Sequence, residues 1–254
     1  MRADDVTEDA VVGGRLLLRQ PRRGHRVGHD AILLAAATDA TRGDHVIELG
    51  AGVGAAGLAL AQRVSGSTAT LVEIDPSLAA LAEQNARQNG LADRVRVAVL
   101  DVTGSDEAFA RESVMPGAAA RVLMNPPFND PARQNVSPDP QRRLAHAASP
   151  RTLEQWVARA AWLLAPSGVL TLIWRADGLG EVLSSLDKHF GRVAVMPVHP
   201  RPHAAAIRVL MRAVKGSSAP LTIAPGLTLN DANGRPSAEA ESILRGGETL
   251  RWPA

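Results

Sequence analysis

Residues 45–64 read HVIELGAGVGAAGLALAQRV, and this stretch decides the fold. HVIEL (45–49) is a short apolar strand, and GAAGLALAQRV (54–64) is helical. Between them stand Gly50, Gly52 and Gly54, which let the chain turn tightly from strand into helix. The same alternation continues downstream. ATLVEI (69–74) is a strand. DPSLAALAEQNARQNG (75–90) is a helix punctuated by Asp75 as N-cap, Pro76 at its first position and Gly90 past its end. RVRVAVL (94–100) is a strand by strict alternation, and RVLM (121–124) is another. TLEQWVARAAWLL (152–164) and LGEVLSSLDKHF (179–190) are helices around the strand GVLTLIW (168–174). RVAVMPV (192–198) and AAIRVLMRAV (205–214) close the series as a pair that can run antiparallel, and a short helix follows near 237–245. Strands alternating with helices predict an α/β fold with a doubly wound, seven-stranded, mostly parallel sheet.

Upstream, VVGGRLLLRQ (11–20) predicts a hairpin around Gly13-Gly14, and Asp30 is placed to cap a helix from Ala31 to Thr38. Residues 1–40 are thus expected to form an N-terminal extension packed on a main domain, 41–254. The 254 residues and 45% hydrophobic content suit one large domain of this kind. No apolar run is long enough for a membrane span, and the acidic start MRADDVTEDA has no secretory pattern. With 0 Cys there is no disulfide or thiol chemistry, which fits the cytoplasm. The pI of about 9.8 accompanies a net charge of only +2. With no Tyr or Cys, little titrates between His and Arg. Lys188 and Lys215 are the only lysines, so the basic residues are nearly all Arg, a compositional bias and not in itself a nucleic-acid signal.

In a doubly wound sheet the ligand crevice lies beyond the carboxyl ends of the strands. The glycine loop alone is ambiguous: Gly50, Gly52 and Ala55 also fit a dinucleotide pattern, and a plain tight turn would account for it as well. The other strand ends separate the readings. Glu73, with Ile74, ends the second strand, where a carboxylate can accept both ribose hydroxyls. Asp101, with Val102, follows the third, where it can accept from an adenine amino group. Glu48 precedes the glycines, where it would repel a pyrophosphate and attract an ammonium. Together these acids favour S-adenosylmethionine over NAD as cofactor.

The fourth strand ends in NPPF, Asn125 to Phe128. Proline cannot continue a central strand. A planar amino group is a poor nucleophile because its lone pair is delocalised. Fixed acceptors, the Asn125 side-chain carbonyl and a backbone carbonyl held by Pro126 and Pro127, would favour its pyramidal form. Asn125 therefore stands at both the cofactor and the target. Phe128 offers a face on which a planar base can stack.

ELGAGVG, VEID, LD and NPPF together resemble class I S-adenosylmethionine-dependent amino methyltransferases, which have a Rossmann-like fold. QPRRGHRVGHDAILLAA and VHPRPHAAAIRVLMRAVKG are more narrowly similar to bacterial tRNA (adenine-N6)-methyltransferases acting next to the anticodon of a valine tRNA. The resemblance implies methylation of adenosine N6 in tRNA; the residues themselves suggest no metal and no membrane partner, and leave the oligomeric state open with a monomer favoured. It puts the cofactor on Glu48, Gly50 and Gly52, the ribose on Glu73, the adenine on Asp101 and the chemistry on Asn125 to Phe128. Guanine-N2 methylation of ribosomal RNA, glutamine-amide methylation of a protein, and a silent RNA-binding module remain alternatives. Arg22, Arg23 and Arg26, and Arg133, Arg142 and Arg143 after the proline corner, are candidate RNA contacts, although solvated loops in an Arg-rich chain look the same. Trp156, Trp162 and Trp174 read as packing residues. The 7 His are scattered and offer no metal constellation.

Overall fold

A computed structural model describes residues 5–23, 26–127, 150–245 and 248–252, without the side chains of 150 and 151. The chain opens with β1 (Val6–Val11) and β2 (Leu16–Pro21), paired antiparallel from Val6 with Pro21 to Val11 with Leu16. Their turn is the expected one, with Gly13 at φ 64°. Then follow α1 (His29–Ala37), β3 (His45–Leu49), α2 (Ala55–Arg63), β4 (Thr68–Glu73), α3 (Pro76–Gln88), β5 (Val95–Val99), α4 (Asp106–Arg111) and β6 (Ala119–Met124). The second half holds α5 (Pro150–Leu163), β7 (Leu164–Arg175), α6 (Leu179–Leu186), β8 (Phe190–His199), β9 (Arg208–Lys215), β10 (Thr222–Ile223), β11 (Leu227–Thr228) and α7 (Ala238–Leu244).

The main sheet runs β5-β4-β3-β6-β7-β9-β8. β3 to β7 are parallel, and β9 is antiparallel to both β7 and β8. The expectation of seven strands covers the long ones. The two-residue strands β10 and β11 add to the β8 edge, making nine. Two residues carry no period, so sequence alone gives no sign of them.

The alternation seen in sequence becomes two packed layers. Val46, Leu71 and Leu123 face a core shared with α1, α2 and α3. Their strand neighbours Ile47, Val72, Val122 and Met124 face the other core, built with α4, α5 and α6. The hairpin lies on α3 through two asparagines one turn apart. Asn89 Oδ1 accepts from Leu17 N at 2.9 Å, and Asn85 Oδ1 accepts from Arg19 N at 2.8 Å. The same amides donate to the Leu17 and Arg19 carbonyls, so α3 satisfies an edge of β2 as a strand would.

Asp30 is not the cap of α1. The helix begins two residues earlier, at His29, with Gly28 as N-cap and no side-chain cap bond. Asp30 instead pairs with Arg208 at 2.9 Å, on the first residue of β9. A charged partner held in place by the sheet outcompetes the local capping bond. Asp75 caps α3 as its sequence suggests, with Oδ1 accepting from Ser77 N at 2.7 Å and Leu78 N at 3.4 Å. No helix among the described residues is long and apolar enough to cross a membrane.

Candidate active site

The sheet reverses its winding at β3, with β4 and β5 to one side and β6 and β7 to the other. Leu49 is registered with Met124, so the next residues, Gly50 and Asn125, leave the sheet side by side at the switch point.

Gly50 has φ 69°, and a Cβ there would lie 2.5 Å from Cη2 of Trp156. Both the backbone angle and the indole beneath it demand glycine. Trp156 is thus a packing residue, as expected, but one that supports the loop directly. A side chain at Gly52 would meet nothing within 4 Å, so the loop backbone there is open to a ligand.

Glu73 latches this loop to the end of β4. Its Oε2 accepts from Gly52 N at 2.7 Å and its Oε1 from Asp75 N at 2.9 Å. A carboxylate has about four acceptor sites, so two bonds leave capacity for hydroxyl groups. Beside it Ile74 stands 47% exposed, a large apolar side chain left out of the core at the end of the strand.

Glu48 turns the other way. It is buried, and its Oε2 accepts from Gly57 N at 2.7 Å in the first turn of α2. A Cβ at Gly57 would lie 2.7 Å from that oxygen, so the missing side chain makes room for the carboxylate. Burial pushes the Glu48 carboxyl up to about 8; the Gly57 N–H opposes the rise and the charge of Glu73 adds to it. The cation-facing role expected from sequence therefore falls on a group that is already turned into the loop–helix junction.

Asp101 is exposed after β5, with Oδ1 accepting from both the backbone N–H and the hydroxyl of Thr103 at 2.8 Å. Val102 puts its side chain in the core. The loop is braced by a residue that sequence reading passed over. Arg159 of α5 donates to the Val102 and Gly104 carbonyls at 3.2 and 2.6 Å and to Asp106 at 2.7 Å. Its guanidinium lies 4.3 Å from the centre of the Phe109 ring and 4.7 Å from that of Trp162. TLEQWVARAAWLL held only part of the signal: an arginine three residues before Trp162 is its neighbour on the helix, while the loop it braces is distant in sequence. The helix α4 was also passed over, although Ser105, with Asp106 and Glu107 in the first turn, marks its start.

Asn125 closes the site. Its Oδ1 is buried and has no hydrogen-bond partner. Pro126 and Pro127 follow, the first buried and the second half-buried, and neither has an N–H to offer. An orphaned buried acceptor costs about 1–3 kcal/mol and is rare enough to require a reason. Phe128, Arg133, Arg142 and Arg143 lie outside the described residues. Arg22 and Arg23 are exposed. β2 runs toward the N-terminal end of α3, which puts both on the side of the strand C-termini. Arg26 is occupied by Asp9 at 2.8 Å. Among the described residues no group of three or more acidic or histidine side chains is placed to hold a metal.

The profile of the methyltransferase small domain matches residues 25–200. The chain belongs to that family. It is 34% identical over 162 residues to the tRNA1(Val) (adenine(37)-N6)-methyltransferase of Porphyromonas gingivalis, covering 62% of this chain and 61% of the relative. The chain thus matches less than two thirds of that relative's length. A protein of the same description from Phocaeicola vulgatus is 27% identical over 188 residues, 73% of this chain and 75% of the relative. Among solved structures, Atu636 of Agrobacterium tumefaciens, described as a predicted O-methyltransferase, superposes with a TM-score of 0.74 at 27% identity, over 87% of this chain and 98% of that one. TrmN of Thermus thermophilus shares the fold with a TM-score of 0.53 at 20% identity, over 73% and 48%. This methyltransferase small domain therefore has the glycine loop, the acidic strand ends and the proline corner of its sequence gathered at one edge of a Rossmann-like sheet.

Proposed function

We propose that this protein transfers a methyl group from S-adenosylmethionine to the N6 amino group of an adenosine in tRNA. The observation that carries the reading is the Asn125 Oδ1, buried, unpartnered and beside the glycine loop. An exocyclic amino group brings the donor this oxygen lacks, and an ordinary turn has no use for one.

The residues present fit the cofactor. The open backbone at Gly52, the spare acceptor capacity of Glu73, the exposed Ile74 and the Asp101 carboxylate form a run along three adjacent strand ends. Glu73 is assigned to the ribose hydroxyls, the Ile74 side chain and the Val102 backbone to the edges of the adenine pocket, and Asp101 to its amino group. Glu48 is assigned to the charge balance of the loop. When bound, S-adenosylmethionine supplies a methyl group on a positively charged sulfur, reactive enough that no prior proton removal is needed. The protein's part is alignment. Asn125 and the Pro126 carbonyl accept from the two N–H bonds of the target, which localises the nitrogen lone pair, and the proline rings hold those acceptors fixed. Phe128 is assigned to stacking on the target base. Arg22 and Arg23, and Arg133, Arg142 and Arg143, are assigned to the RNA backbone.

The tRNA and N6 assignments rest on the Porphyromonas and Phocaeicola relatives, joined to a corner that suits a planar amine. The experiment is labelled methyl transfer to total RNA from a strain lacking the gene, followed by nucleoside analysis of the separated tRNA and ribosomal RNA. Label in N6-methyladenosine of tRNA is expected. Label in N2-methylguanosine of ribosomal RNA, or none in RNA, overturns the assignment.

A further inference from the structure

The loop between β8 and β9, Pro200 to Ile207, rises from the same edge of the sheet as the proline corner. Met124 is registered with Leu172, so Asn125 stands beside Ile173; Ile173 pairs with Leu210, and Leu210 with Met196. The loop begins past that row, where Val198 pairs with Arg208. At about 4.8 Å per strand and 3.3 Å per residue, its base lies roughly 10–14 Å to the side of Asn125 and about 7 Å beyond it.

Arg201, Pro202 and His203 are exposed there, with His203 at φ 62°. An exposed loop needs no order for the core's sake, yet this one is tied at several points. His199 Nδ1 hydrogen-bonds the Ala204 carbonyl at 2.8 Å, and Ile207 N donates to the Val198 carbonyl at 2.9 Å. From the C-terminal segment, Asn230 donates to the Pro200 carbonyl through both its backbone N–H at 3.2 Å and its side chain at 2.9 Å. The effect is to hold Arg201 and His203 out in a fixed place.

Three of the acidic side chains at this edge are already engaged. Asp30 is held by Arg208 and Asp177 by Arg175, each at 2.9 Å. Asp231 is turned into its own loop by the Asn233 and Arg235 N–H groups. Among the described residues Arg201 and His203 have no ion pair. The Asp30–Arg208 contact also ties this end of β9 to the segment that carries Arg22 and Arg23, which are likewise exposed on this side.

We propose that the β8–β9 loop is a phosphate-contacting surface for the RNA substrate, with Arg201 its principal cation, continuous with the Arg22–Arg23 segment across the Asp30–Arg208 tie. The inference rests on the tRNA reading above and adds a surface to it. A preordered cation loses little freedom on meeting a phosphate, and each neutralised phosphate releases counterions.

The test is binding of unmodified tRNA across a series of KCl concentrations for the wild type, Arg201→Ala, and Arg192→Ala. Arg192 is an exposed arginine at the opposite end of β8 and serves as the matched control. Arg201→Ala is expected to flatten the plot of log K against log salt by about 0.7–0.9 and to weaken binding roughly fivefold at about 0.15 M salt. S-adenosylmethionine affinity, read by calorimetry, should be unchanged in both variants. An unaltered slope in Arg201→Ala, or an equal loss in Arg192→Ala, overturns the surface while leaving the tRNA reading intact. A wild type that neither binds nor methylates tRNA overturns both.

Discussion

Glu48→Gln isolates the charge of a buried carboxylate that the fold holds well above its ordinary pKa. In the wild type this group moves from 4.5 to about 8 on folding. The raised value means that the fold favours the neutral form. The stabilisation is fully present below pH 4.5 and is lost as pH rises through the window up to about 8. Each pH unit inside that window costs about 1.36 kcal/mol, so the whole window is worth at most roughly 4–5 kcal/mol, against a total stability of about 5–15 kcal/mol. Glutamine keeps the length of the side chain and an oxygen for the Gly57 N–H, but cannot ionise. Its extra N–H groups add a cost that does not vary with pH, so the diagnostic is the slope and not the offset. Urea unfolding at a series of pH values should show wild-type stability falling relative to the variant from pH 5 to 8. Burial also holds the His45 imidazole below its ordinary pKa, but that contribution is common to both proteins and cancels in the difference. Parallel curves across the window would refute the buried-carboxylate argument.

Three further outcomes follow from the same site. Asn125→Ala should lower single-turnover methylation by about 10²–10³ while calorimetry shows cofactor binding nearly intact; near-wild-type turnover would return the proline corner to an ordinary turn. S-adenosylmethionine binding near pH 7 should release protons, because a cation at the glycine loop favours the ionised form of Glu48. Calorimetry in buffers of different ionisation enthalpy reads this, and the release should vanish in Glu48→Gln; NAD should give no heat. Arg159→Met removes three hydrogen bonds from the 102–106 segment and should weaken cofactor binding. Adding Asp101→Ala should then cost less than it does alone, since both act through one loop; fully additive losses would separate Arg159 from the adenine pocket.

What could be read from the sequence was what depends on neighbours along the chain. Short apolar runs placed the strands β3 and β4, although with both neighbours apolar they could not say which of Val46 and Ile47, or Leu71 and Val72, faces each layer, and the Asp75-Pro76 punctuation placed α3. The strand ends then followed, and with them the gathering of Glu48, Glu73, Asp101 and Asn125 at one edge. What escaped depends on partners far away in sequence. Asp30 has every local mark of a cap, yet it is drawn to Arg208, 178 residues later. Arg159 shows its use only once the loop after β5 lies against α5.

The two glutamates at the glycine loop make the same point at closer range. In sequence, Glu48 and Glu73 are equivalent: each ends or nearly ends a strand, and each adjoins the loop. Their neighbours make them different chemical groups. Glu73, buried at the end of β4, meets two backbone N–H groups, which leaves part of its acceptor capacity unused. Glu48 meets one N–H in the dry seam between β3 and α2, too little to offset the loss of water. In the proposed reading the first serves as an acceptor for a neutral, hydroxyl-bearing ligand. The second is a carboxyl whose ionisation waits for a positive charge, so a cationic ligand would complete the loop's electrostatics while a pyrophosphate would oppose them.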